Sequence, residues 1–159
     1  RDLSEGERIG LYGQSHGAAI SVLAAERDAR IKAVVAEAGF YDAVDLYNNA
    51  VASSDPTVKT ILNDLLSMVG GTPDEVPREY EVRSALNYTD SLQAATLLIH
   101  GEKDPICPVG QARRLYDALS AAGKTVEIKL YPDEAHCVVD PAGRLEVWEL
   151  MFAWFEKNV

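Results

Sequence analysis

Gly13-Gln14-Ser15-His16-Gly17 stands between a short apolar run, Arg8-Ile9-Gly10-Leu11-Tyr12, and an alanine-rich helix-forming stretch, Ala18-Ala19-Ile20-Ser21-Val22-Leu23-Ala24-Ala25. The spacing G-x-S-x-G at a junction of strand and helix reads as a nucleophile elbow. Such a turn leaves no room for a nearby Cβ, hence the glycines, and it pushes the serine hydroxyl clear of the sheet. Everything downstream is organised around that junction.

The elbow helix is expected to run to about Arg27, and Ile31-Lys32-Ala33-Val34-Val35-Ala36-Glu37 then reads as a strand from its β-branched content. A strand, a helix and a further strand make a right-handed parallel crossover. From Ala43 to about Leu92 no period-two pattern is visible, so this stretch reads as an excursion from the sheet. Within it, apolar residues at 58, 61, 62, 65, 66 and 69 have helical spacing, stopped by Gly70-Gly71. The part from Thr72 to Ser91 reads as an extended loop with one helical turn around Pro77 to Val82. Ala95-Thr96-Leu97-Leu98-Ile99-His100 is a continuous apolar run that fits a central strand buried on both faces. Pro108 opens a helix closed by Gly123, and the alternating Val126-Glu127-Ile128-Lys129-Leu130-Tyr131 fits a strand at the sheet edge. Ala142 to Val159 carries Leu145, Trp148, Met151, Phe152 and Phe155 on a broad stripe and reads as a packing helix. The pattern predicts one α/β domain over residues 1–159, a parallel sheet flanked by helices.

A serine hydroxyl needs a base to take its proton, and a histidine base needs a carboxylate to hold its tautomer. In parallel sheets such groups gather at the carboxyl ends of strands. Two loops qualify, His100-Gly101-Glu102-Lys103-Asp104-Pro105 and Tyr131-Pro132-Asp133-Glu134-Ala135-His136. They supply Asp104 as the acid, with Glu102 and Asp42 as alternatives. His136 is the base, since His16 sits inside the elbow and His100 ends a buried strand. Asp133 and Glu134 read as solvated loop charges. The chain order Ser15, Asp104, His136 is that of α/β-hydrolases.

The elbow, the stretch Leu97-Leu98-Ile99-His100-Gly101-Glu102-Lys103-Asp104, the helix end Ala121-Ala122-Gly123-Lys124 and the Tyr131 to His136 turn together resemble the catalytic domain of the prolyl oligopeptidase family. That family includes acylaminoacyl peptidases and dipeptidyl peptidases. The resemblance implies an α/β-hydrolase domain and a serine hydrolase acting on peptide or acyl-amino-acid bonds. It implies Ser15 as nucleophile, Asp104 as acid and His136 as base. Carboxylester hydrolysis and a catalytically incomplete fragment are the alternative readings. It also implies that the backbone N–H of His16 serves as one oxyanion donor and that Phe40 and Tyr41 wall the substrate pocket. Two departures stand out. The family has further strands ahead of the elbow, one of which brings the second oxyanion donor, and Cys137 replaces the family's glycine after the base.

The chain is therefore expected to be the C-terminal part of a larger hydrolase domain, without the N-terminal strands, and its first strand is expected to form an open edge prone to self-association. A formal charge of −10 argues against nucleic acid and anionic membranes as partners. No apolar stretch approaches the ~18 residues of a spanning helix, and Arg1-Asp2-Leu3-Ser4-Glu5 is no signal peptide, so a cytoplasmic location is favoured. No metal-ligand cluster, phosphate loop or dinucleotide fingerprint is present, so neither metal nor cofactor is expected. The two cysteines, Cys107 and Cys137, read as reduced thiols, with a bridge between them as the alternative.

Overall fold

The computed structural model describes residues 8–159; the segment Arg1 to Glu5 lies outside them. Four parallel strands form one sheet in sequential order: β1 (Ile9–Gln14), β2 (Ile31–Glu37), β3 (Ala95–Gly101) and β4 (Val126–Tyr131). The sheet is the one the sequence predicts, with its first strand extended at the carboxyl end. β1 runs on through Gln14, because Gly13 and Gln14 stay in register with Ala36 and Glu37 and the Ser15 N–H donates to the Glu37 carbonyl at 2.8 Å. β3 is buried along its whole length, as a strand flanked by two others should be. β1 and β4 are the edges, and among the described residues β1 pairs only with β2.

The faces of the sheet follow from side-chain alternation. Val34, Ala36 and Leu98 point to one side, where α1 (His16–Ala25) and α5 (Val109–Ala121) cover them with Ala18, Val22, Ala112, Leu115 and Leu119. Ala33, Val35, Leu97 and Ile99 point to the other side, against α6 (Pro141–Asn158), where Val147 and Trp154 are buried. The Trp154 indole N–H donates to the Ala95 carbonyl at 3.2 Å, which ties α6 to the start of β3. The expected single packing stripe on α6 is in fact divided. Leu150, Met151 and Phe155 lean on the sheet, while Leu145, Trp148 and Phe152 are more than half or about half exposed, at 55, 50 and 62%. A helix apolar on both sides cannot bury all of them against one sheet face.

The excursion is more ordered than its sequence suggests. It holds α2 (Ala43–Ala52), α3 (Pro56–Val69) and α4 (Pro77–Glu81), followed by two short 3-10 turns at residues 85–87 and 89–91. Asp42 caps α2 by accepting from the Asp45 N–H, and Asp55 caps α3 by accepting from the Thr57 and Val58 N–H groups. Their apolar faces meet in a satellite core of Leu46, Leu65, Val69 and Tyr80, which reaches Ala19 of α1, Phe40 and Cys107. The excursion is thereby held beside the elbow.

One buried group weakens this framework at high pH. Glu26, at the end of α1, is 8% exposed, and among the described residues neither carboxylate oxygen has a hydrogen-bond partner. Burial pushes its pKa up from 4.5 to about 8, against a small opposing pull from Arg27. A raised acid pKa means that the folded state holds its proton more tightly. This contribution is complete below about 4.5 and is lost as pH rises through about 8. Glu26→Gln is therefore expected to raise the thermal midpoint by a few degrees at pH 9, about 1 to 2 kcal/mol at ~2–4 °C per kcal/mol, and to change it little at pH 5. Calorimetric scans of both proteins at the two pH values check it.

Candidate active site

Ser15 lies between β1 and α1 with φ 56° and ψ −122°, a backbone conformation that few L residues adopt and one that places its side chain above the carboxyl end of the sheet. The two glycines of the elbow are not equivalent. A Cβ on Gly13 would come within 2.1 Å of the Gly17 carbonyl oxygen, whereas a Cβ on Gly17 meets none of the described residues within 4 Å. Only Gly13 is required by crowding there.

The acid and base loops converge on the serine. The His136 Nε2 lies 2.8 Å from the Ser15 Oγ, and the His136 Nδ1 lies 2.8 Å from the Asp104 Oδ2. Asp104 also holds its own loop: its Oδ1 accepts from the Ile106 N–H at 2.8 Å and the Cys107 N–H at 2.9 Å. The two carboxylate oxygens thus have separate tasks. Burial pushes this carboxyl up, but hydrogen bonds from His100, His136 and the Cys107 N–H outweigh it and hold the pKa at about 2. His100 is fully buried; its Nε2 faces two acceptors, the Cys107 carbonyl at 2.7 Å and the Asp104 Oδ2 at 3.2 Å, so the proton is assigned to Nε2. The other acidic candidates are elsewhere. Glu102 pairs with Arg113, and Asp42 caps α2 and sits 3.6 Å from Arg114.

The base loop leaves the end of β4 and crosses β3. Gly101 permits this, since a Cβ there would come within 2.2 Å of the Ala135 carbonyl oxygen. Glu134, half-buried, does more than carry a loop charge: its carboxylate accepts from the Val139 and Asp140 N–H groups at 3.1 and 3.0 Å and so spans the loop. Asp133 is exposed and pairs with Lys103 at 2.7 Å. Cys137 has φ 67°, in the left-handed region that favours glycine and costs a residue with a Cβ about 1–2 kcal/mol. That conformation accounts for the glycine expected after the base. Cys107 and Cys137 are both free thiols; burial, aided by the charges of Glu37 and Asp104, pushes Cys137 up to about 12.

His16 heads α1, and its N–H precedes the intrahelical ladder. Its ring stacks on Phe40 at 5.8 Å between centroids. Phe40, Ser15 and His16 open onto a cavity of about 210 Å³ completed by Leu46, Ile61, Leu65, Met68 and Ile106, with Asp64 the one acid among its lining residues. Tyr41 does not belong to it. Consecutive residues point to opposite sides here, so Phe40 turns to the cavity while Tyr41 is fully buried in the core beneath α1 and α5. Its backbone N–H donates to the Gln111 Oε1 at 2.8 Å, which makes it a packing residue. The helical spacing of Ile61, Leu65 and Met68 is visible in the sequence, but nothing local shows that α3 folds back over the elbow.

Known proteins resemble this chain over most of its length. An uncharacterized peptidase of Bacillus subtilis, YtmA, is 29% identical over 131 residues, 82% of this chain and 48% of the relative. Dipeptidyl-peptidase 5 of Porphyromonas gingivalis is 28% identical over 155 residues, 96% of this chain and 22% of the relative. The solved structure of Pyrococcus horikoshii acylaminoacyl peptidase superposes with a TM-score of 0.81 at 28% identity, covering 96% of this chain and 24% of that one. The chain thus spans less than half the length of each of these relatives. The family model described as the prolyl oligopeptidase family matches residues 1–159, and with the α/β-hydrolase sheet and elbow in place, the chain belongs to that family.

Proposed function

We propose that this chain carries the reaction centre of a serine hydrolase that cleaves peptide or acyl-amino-acid bonds by forming an acyl-enzyme at Ser15. One observation carries the reading: the hydrogen-bonded line from Ser15 through His136 to Asp104, with both contacts at 2.8 Å. As the Ser15 Oγ adds to the substrate carbonyl carbon, the His136 Nε2 takes the hydroxyl proton, and the Asp104 Oδ2 holds the proton on Nδ1 and stabilises the imidazolium. The tetrahedral oxyanion is met by the His16 N–H. Its collapse breaks the bond to the leaving group, which takes the proton from His136. Water then attacks the acyl-enzyme by the same route in reverse order.

The cavity beside Ser15 suits an apolar side chain on the acyl side of the scissile bond, because its walls are Phe40, Leu46, Ile61, Leu65, Met68 and Ile106. The names of the relatives favour a peptide leaving group, and the triad itself serves esters equally.

A fluorophosphonate is expected to add one adduct by intact mass, on Ser15, and none to Ser15→Ala. Turnover of matched anilide and ester substrates with an apolar acyl group then separates peptidase from carboxylesterase. Absence of labelling in the full-length protein would leave the reading of an inactive fold.

A further inference from the structure

Among the described residues the mechanism leaves unused one buried acid whose carboxylate accepts four hydrogen bonds. Glu37, the last residue of β2, is fully buried and ends next to the site. Its Oε1 accepts from the Val138 N–H at 2.9 Å and the Arg144 Nη1 at 3.0 Å. Its Oε2 accepts from the Arg144 Nη2 at 2.7 Å and the Tyr12 hydroxyl at 2.7 Å. Its backbone carbonyl accepts from the Ser15 N–H at 2.8 Å. One residue therefore grips the nucleophile through its main chain and the base loop, two residues past His136, through its side chain.

These contacts are out of proportion to a packing role. The segment that they hold is strained: Cys137 lies between His136 and Val138 at φ 67°. Such a conformation persists only where the surroundings over-determine it. Glu134 holds the same segment one residue further on, through the Val139 and Asp140 N–H groups. Burial alone would push the Glu37 carboxyl up, and the donors of Arg144, Val138 and Tyr12 hold it down, so it accepts as a carboxylate. Arg144 comes from the first turn of α6 and Tyr12 from β1, so the clamp joins two elements that carry none of the three reacting groups.

We propose that Glu37, oriented by Arg144 and Tyr12, is a positioning residue that sets the distance between the His136 Nε2 and the Ser15 Oγ. Resting on the hydrolase reading above, this adds a separate claim, that the Ser15 to His136 line is imposed by a carboxylate outside it. In Glu37→Gln one oxygen becomes an amide N–H₂ that cannot accept: in place of Oε1 it leaves the Val138 N–H and the Arg144 Nη1 without a partner, and in place of Oε2 it does so to the Arg144 Nη2 and forces the Tyr12 hydroxyl to turn and accept, so the clamp on Arg144 loosens either way. A displacement of the base by a fraction of an ångström to 1 Å acts on the chemical step and costs up to about 10²-fold. It leaves the substrate cavity untouched, since no residue of the clamp lines it.

The test measures kcat, KM and thermal midpoints for the full-length wild type, Glu37→Gln, Tyr12→Phe and Ser15→Ala, with an apolar p-nitrophenyl ester at a temperature below every midpoint. Glu37→Gln is expected to lose about 10–100-fold in kcat with KM within about twofold, and its fluorophosphonate labelling rate should fall in parallel. Tyr12→Phe removes one donor from a partly exposed residue and is expected to fold normally, losing a few-fold in kcat alone. Should Glu37→Gln fail to fold, Tyr12→Phe decides the matter by itself. Wild-type kcat in the folded variants, or losses confined to KM, would overturn the positioning role. Retained turnover in Ser15→Ala would instead overturn the hydrolase reading, so the two failures are separable.

Discussion

Ser15→Ala should lower kcat by about 10⁴- to 10⁶-fold while leaving KM and the thermal midpoint near those of the parent. The size follows from what the hydroxyl does in the proposed mechanism. Without it no acyl-enzyme forms, and the remaining rate comes from water held near the His16 N–H, whose contribution through oxyanion stabilisation is worth about 10²–10³. Stability should hardly change, because among the described residues the Ser15 Oγ hydrogen-bonds only to His136 and no helix cap depends on it. Steady-state kinetics on an apolar ester, with a thermal scan of the same sample, checks both halves. A residual rate within tenfold of the parent would place the chemistry elsewhere.

Asp104→Asn should cost about 10⁴-fold in kcat, more than the loss of one hydrogen bond would suggest. The reason is the division of labour between the two carboxylate oxygens. The Oδ1 is committed to the Ile106 and Cys107 N–H groups, which can only donate, so an asparagine must place its carbonyl oxygen there. Its amide N–H₂ then faces the His136 Nδ1 and the His100 Nε2. Both rings have to change: His136 must keep its proton on Nε2, where it cannot take one from serine, and His100 meets a donor with a donor. The loss should therefore appear in kcat across the whole pH range of activity, not as a displaced pH profile. A crystal structure of the variant should show the loop in place, and the ¹⁵N shifts of the His136 ring should report the altered tautomer. Asp104→Ala, by contrast, frees the Ile106 and Cys107 N–H groups as well, and its thermal midpoint should fall too.

Much of the architecture was legible because the sheet is parallel and each strand is a compact, β-rich run. Runs such as Ile31 to Glu37 and Val126 to Tyr131 carry their own boundaries, and these two strands begin and end where the sequence places them. The helices α5 and α6 announce themselves by proline at one end and periodic apolar residues along their length. What the sequence hides has a common physical origin, contact with distant parts of the chain. Ala43 to Ala52, with adjacent asparagines, has little helical propensity of its own; Asp42 caps it, and Leu46 and Ala50 are buried by tertiary packing. Tyr41 and Phe40 look alike in sequence, and only the direction in which the chain turns after β2 sends one to the core and the other to the cavity.

The candidate site was legible in the same uneven way. Ser15, Asp104 and His136 each follow a strand, and topology alone directs strand ends to one place, where the structure brings the three within hydrogen-bonding distance. Glu37 also ends a strand, but its partners lie 101 and 107 residues away and leave no local mark. The loop-spanning role of Glu134 is hidden for a related reason, since its backbone partners, five and six residues on, meet it only through the fold of the loop.

The satellite core has a practical consequence for design. Ser15, Asp104 and His136 are borne by the sheet, whereas Ile61, Leu65 and Met68 of the cavity wall belong to α3, inside an insertion that begins and ends beside the same sheet. On the proposed reading, part of the substrate wall can be varied without touching the residues that react. A library confined to positions 61, 64 and 68 would reshape that wall and leave every bond of the reacting line intact, whereas exchange of the whole insertion would also have to rebuild its contacts with Ala19 of α1 and Cys107 of the acid loop.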